Sequence, residues 1–250
     1  ASDVYKRQLV PLALFDDRNF SLAAFTISTV GFAVSTYVIP WMIYIQTVGE
    51  LSPTHAALLI LPSGLVSGVL SPYIGRLTNT HDPKPFAIAG MTLAALSIGA
   101  TALITTPGVD PNWMYAISVV YGVANSMMWG PLSMIATRNL NPKLAGAGSS
   151  VYNTTRQIGA VIGSAAIAAM MSAQLDSRLG THAGANGGAA ETPPASPTAS
   201  PTQVSGPLPE FLHEPFAAAM ATSIWLPCLV IAAGALTACF FAKTKSWGSA

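Results

Sequence analysis

Apolar residues in this chain gather into long unbroken runs, and the polar, charged and proline-rich positions cluster between them. A helix crosses a bilayer's hydrocarbon layer in about 20 apolar residues, because only internal hydrogen bonds can satisfy its backbone there. Six runs qualify: Phe20–Ile45, Ala56–Tyr73, Phe86–Ile104, Trp113–Thr137, Leu144–Met171 and Phe216–Phe241. The fold class they predict is an all-α integral membrane bundle of six transmembrane helices. The second run is short, and Pro62 and several glycines interrupt it, but membrane helices tolerate both residue types.

Composition supports lipid as the solvent. Hydrophobic residues make up 51% of the chain and charged residues 8%, against about 25% charged in an ordinary soluble domain. The net charge of +1 excludes a large basic footprint for nucleic acid. Cys228 and Cys239 lie too far apart along one helix to pair, and no two of His55, His81, His182 and His213 share metal-ligand spacing. No metal and no cofactor are expected.

The placement of lysine and arginine sets the orientation. With the N-terminus in the cytoplasm, Lys6, Arg7, Arg18, Arg76, Lys84, Arg138, Lys143, Lys243 and Lys245 fall inside and Arg156 leans the same way. Only Arg178 falls outside, beside Glu50, Asp110, Asp176, Glu191, Glu210 and Glu214. Dropping one span would scramble that division, so it tests the span count as well as the direction. Trp41, Tyr44, Trp113, Tyr115 and Trp247 stand at run ends, where aromatic residues anchor helices at the membrane interface. The expected organisation is a cytoplasmic leader at 1–19, partly non-native because ASDVYKRQ fits nothing that follows, and spans over 20–171. A disordered extracellular loop at 172–214, a last span at 215–242 and a cytoplasmic tail at 243–250 complete it. The loop is assigned because 180–209 is built almost wholly of Gly, Ala, Pro, Ser and Thr, too little apolar bulk to offset the entropy of ordering.

All ten Asp and Glu residues fall between or outside the runs. A proton-coupled carrier needs an intramembrane titratable group, so any coupling carboxylate is expected outside this sequence. Arg156 is the exception among the charges, about three turns into the fifth run. It reads either as an electrostatic or gating element facing a cavity, or as an arginine snorkelling to the headgroups. Gln157 and Asn153 accompany it, and Gly159 and Gly163 give the spacing that lets a second backbone approach closely. In the fourth run Asn125 and Trp129 precede Pro131, which removes a backbone hydrogen bond. Ser28, Gly31 and Ser35 share one face of the first run with Tyr37 above them. Signatures of nucleotide binding, serine hydrolysis and zinc proteolysis are missing, so the chain does not read as an enzyme.

Several stretches resemble the major facilitator superfamily, in particular its fourteen-helix drug:proton antiporters. Leu14-Phe15-Asp16-Asp17-Arg18-Asn19-Phe20 is similar to the lead-in to that family's ninth helix. Pro40, Tyr44-Ile45-Gln46, Ser52-Pro53, Ala56 and Leu61-Pro62 resemble its passage from helix nine to ten. Gly75-Arg76-Leu77-Thr78-Asn79 resembles the superfamily's cytoplasmic loop motif, with Asn79 where an aspartate is usual. Ala145-Gly146, Asn153, Arg156-Gln157, Gly159 and Gly163 resemble the penultimate helix. The resemblance implies a C-terminal half bundle of two inverted three-helix repeats, with spans one, two, four and five facing a cavity and three and six outside. It implies proton-coupled efflux of amphiphilic drugs or metabolites, with the bilayer, protons, an amphiphilic substrate and an N-terminal half beyond this sequence as partners. A self-contained six-span oligomeric pore or a membrane scaffold is the alternative.

Overall fold

A computed structural model describes residues 14–15, 17–137, 140, 144–185 and 210–241, with side chains left out for 179–185. Among the described residues the secondary structure is helical. We label α1 (Arg18–Thr36), α2 (Val38–Thr47), α3 (Pro53–Thr80), α4 (Pro83–Ile104), α5 (Trp113–Thr137), α6 (Ala145–Ala185) and α7 (His213–Cys239), the last preceded by a 3-10 turn at Glu210–Leu212. By length and composition five stretches can cross a membrane: α1 with α2, α3, α4, α6 up to Arg178, and α7. The sixth pass, α5, has the length but is less apolar. It packs along its neighbours nonetheless, with Gly122 against Ser63 and Val66 of α3, and Met127 against Gly90 of α4.

Local chemistry fixes the ends. The Asp17 carboxylate accepts the Phe20 N–H at 2.8 Å, the Ser52 hydroxyl accepts from His55 at 3.3 Å, and Asp82 accepts from Lys84 at 3.0 Å; each satisfies an orphan amide of a first turn. Proline follows at the first position of α3 and α4, where its missing N–H costs nothing. The first predicted span is split at Tyr37, because Pro40 has no N–H to return to Thr36 and α1 and α2 meet there as separate pieces.

Three expectations need correction. The Gly75-Arg76-Leu77-Asn79 motif is not in a loop: all four residues belong to the last turns of α3, which runs on until His81 and the Asp82 cap. That helix is about 42 Å long at 1.5 Å per residue, so its final turns clear a hydrocarbon layer of about 30 Å while remaining helical. The segment assigned to a loop from 172 begins as helix, since α6 continues to Ala185. Arg178 holds that extension, donating to Gln174 Oε1 at 3.1 Å within α6 and to Thr222 Oγ1 of α7 at 3.0 Å. Positions 186–209 lie outside the described residues. Finally, Trp41 and Tyr44 are buried in the bundle, at 1% and 5% exposure, rather than turned to the lipid interface; Trp113 and Tyr115 are exposed, and Trp247 lies outside the described residues.

The helices form a row, α3–α5–α4–α7–α1–α6, which curls so that α1 also touches α5. Packing is governed by small residues, because lipid supplies no hydrophobic force between helices. Gly31 lies against the Arg156 backbone, and Gly159 against Ser28, in α1–α6; Gly99 lies against Cys228 in α4–α7. The pairings repeat: α1 packs on α6 as α5 packs on α3, and α4 packs on α5 as α7 packs on α1. This is the arrangement of two inverted three-helix units, with α4 and α7 meeting behind and α3 and α6 at the two flanks.

Charge segregates along the axis. The C-terminal carbonyls of α7 receive the Arg18 guanidinium (to Phe240, 3.4 Å) and the Lys84 ammonium (to Cys239, 2.8 Å, and Phe241, 2.7 Å), cations placed where the helix dipole favours them. Arg76 stands at the same end, with the capping residues Asp17 and Asp82. Glu50, Asp110 and Glu214 lie at the opposite end.

Candidate functional site

The flank helices leave one broad face uncovered. On α3 the side chains of Leu58, Leu61, Leu65, Val69 and Tyr73 recur at helical spacing and are all exposed; on α6 Ile158, Val161 and Ile162 are exposed. A cleft of about 380 Å³ between α2 and α3, lined by Met42, Ala57, Ile60, Leu61, Ser63 and Gly64, is apolar. Between the flanks the polarity changes.

Arg156 sits in α6 roughly 16 Å along the axis from Ala145, within the stretch long and apolar enough to cross a membrane. Its guanidinium carbon lies 5.6 Å from the centre of the Trp129 ring of α5, within the range of a cation–π attraction. The close α1–α6 crossing puts it there: Gly31 has no side chain to hold the Arg156 backbone away, and a Cβ there would lie 3.2 Å from Arg156 Cγ. Trp129 in turn donates its indole N–H to the Asn125 side-chain oxygen, one turn earlier on α5. That bond occupies one of the two lone pairs of the Asn125 side-chain oxygen and involves none of its amide N–H groups.

Asn153 and Gln157 fall on the same side of α6 as Arg156 and are exposed, while Arg156, Asn125 and Trp129 are half-buried. Asn153 uses one donor on the Ser149 carbonyl at 3.0 Å. The structure therefore brings Asn125, Trp129 and Arg156 into one contact network, with Asn153 and Gln157 beside it. The other candidates sit elsewhere. Ser28 lies at the helix crossing against Gly159, Ser35 is half-buried on α1, and Tyr37 is buried with its ring 4.7 Å from Tyr121. Gly163 faces Thr36 and Phe32 of α1.

Among the described residues no carboxylate approaches Arg156. Asp17, Glu50, Asp82, Asp110, Glu210 and Glu214 cap helices, precede them or sit in first turns. Asp176 is roughly 46 Å along α6 from Ala145, about 30 Å beyond Arg156. No group of three or more His, Cys, Asp and Glu residues forms a metal site among the described residues.

The sequence reading passed over Tyr121 and Tyr152. Both hydroxyls are buried without a well-formed hydrogen bond. Tyr121 precedes Asn125 by one turn, as Asn125 precedes Trp129, and that repeated spacing on α5 was the available signal. Tyr152 stands one turn before Arg156.

The profile of the Major Facilitator Superfamily matches residues 3–164. The chain belongs to the major facilitator superfamily. It is 40% identical over 238 residues, 94% of its own length, to the uncharacterized MFS-type transporter Rv1250 of Mycobacterium tuberculosis, of which it covers 39%. It is 27% identical to the lincomycin resistance protein LmrB of Listeria innocua over 64% of this chain and 34% of that one. It is also 27% identical to the multidrug export protein EmrB of Escherichia coli over 63% and 31%. The chain thus spans about a third to two fifths of the length of these relatives. Proteins of this superfamily are membrane transporters, and the helices described above are those of a multi-pass membrane protein of that type.

Proposed function

We propose that this bundle works as the C-terminal half of a secondary exporter of amphiphilic compounds, driven by proton entry, in a cell membrane with both chain ends in the cytoplasm. One observation carries the reading: a polar strip containing Asn125, Trp129, Arg156 and Gln157 lies between two flanking helices whose outward sides are apolar and uncovered. Apolar flanks can pack against a second bundle, and the polar strip then becomes one wall of a water-accessible cavity near the midplane. Rocking of the two bundles would expose that cavity to each side in turn. Export, rather than uptake, is supported by the likeness to EmrB, a multidrug export protein. Cytoplasmic ends are supported by the cationic end of the bundle. Since the carboxylates of the described residues lie toward the helix ends and none approaches Arg156, the proton-carrying acid is assigned to the partner bundle.

The test is dye retention in cells expressing the complete protein, with ethidium and with carboxyfluorescein loaded as its diacetate. Lower retention of either dye, restored by a protonophore, is expected. Unchanged retention of both by cells containing well-expressed protein would refute export.

A further inference from the structure

The one formal charge in the polar strip is positive. A guanidinium carries only donors. The Asn125 carbonyl accepts from Trp129, and its N–H groups are donors beside Arg156. Gln157 is exposed beside them. No acidic group of the described residues stands at that depth, and an arginine inside the membrane with no counter-charge is costly. The helix crossing at Gly31 nevertheless holds it there, against an aromatic face. Trp129 offers the guanidinium an aromatic face but no negative charge.

Resting on the exporter reading, we infer that Arg156, with Asn125 and Trp129, forms a subsite for an anionic head group on the substrate. The preferred cargo is then an amphiphile bearing a carboxylate or similar acid beside an aromatic or aliphatic body. The acid accepts charge-assisted hydrogen bonds from Arg156 and Asn125, and the apolar body lies on Trp129. A cationic amphiphile of the same size meets like charge in a site of low dielectric and is disfavoured.

The experiment measures efflux of carboxyfluorescein and ethidium by the complete protein and its Arg156→Gln and Arg156→Lys variants, scaled to protein in the membrane. A charge-assisted hydrogen bond is worth about tenfold or more in affinity. The ratio of carboxyfluorescein to ethidium efflux should fall by about that factor in R156Q and by less in R156K. Should R156Q fail to reach the membrane, the wild type still decides: decanoate should compete with carboxyfluorescein at a concentration about tenfold lower than decylammonium does. If the wild type moves ethidium but not carboxyfluorescein, or if both dyes fall equally in both variants, the subsite is refuted and the exporter reading stands. If neither dye moves, the exporter reading fails and takes this inference with it.

Discussion

The α1–α6 crossing makes a quantitative prediction, because two glycines there face obstacles of different kinds and a third on the same helix, Gly146, faces none. A methyl group at Gly159 would press on the Ser28 backbone, with Ser28 Oγ 2.7 Å and the Ser28 carbonyl carbon 2.8 Å away. Backbone cannot rotate aside, so the helices must part by roughly 1 Å to restore contacts of about 3.5–4.0 Å. At Gly163 the nearest atom is Thr36 Cγ2 at 2.9 Å, with Phe32 O at 3.0 Å. Phe32 Cα follows at 3.1 Å, so backbone is met here too, but every overlap is smaller than at Gly159 and the nearest atom is a side-chain methyl. Gly146, near the start of α6, has nothing within 4 Å. Overpacking of the Gly159 kind costs about 1–3 kcal/mol, whereas alanine in an open helical position gains up to about 1 kcal/mol over glycine. For a chain of this size each kcal/mol moves Tm by about 2–4 °C. Thermal unfolding of the complete protein in detergent should therefore rank Tm as Gly146→Ala at or above wild type, then Gly163→Ala, then Gly159→Ala lowest. Equal Tm values for G159A and G146A would show that the crossing is not close, and the placement of Arg156 over Trp129 would lose its support.

Two further outcomes follow from the bundle. Arg178→Ala removes the bond to Thr222 that docks the end of α6 on α7, together with the bond to Gln174 within α6; each is worth about 0.5–1.5 kcal/mol, so limited proteolysis should cut near 172–185 several times faster, with helix content by circular dichroism little changed. Cys228 is buried and Cys239 exposed at the cationic end, so maleimide should label Cys239 in the folded protein and reach Cys228 only after denaturation. A membrane-impermeant maleimide should label Cys239 only in opened cells, and labelling in intact cells would reverse the orientation.

What the sequence by itself determined is the solvent and the end of the bundle where the cations gather. Runs such as Phe86–Ile104 report lipid because few polar groups interrupt them, and the lysines and arginines mark one end because membrane insertion sorts them. The absence of carboxylates from the runs was also legible, as was the oddity of Arg156. Hydropathy marks where lipid lies, however, and not where hydrogen-bonded helix stops. The Gly75–Asn79 turns and the continuation of α6 to Ala185 therefore appeared only in the structure. The same limit hid the burial of Trp41 and Tyr44, since an aromatic residue at a run end can face lipid or protein and its neighbours in sequence are identical in either case. Tertiary structure alone decided that Trp129 and Arg156 meet: they come from different helices, and what joins them is the α1–α6 approach at Gly31 and Gly159, where two side chains are absent and two backbones can touch.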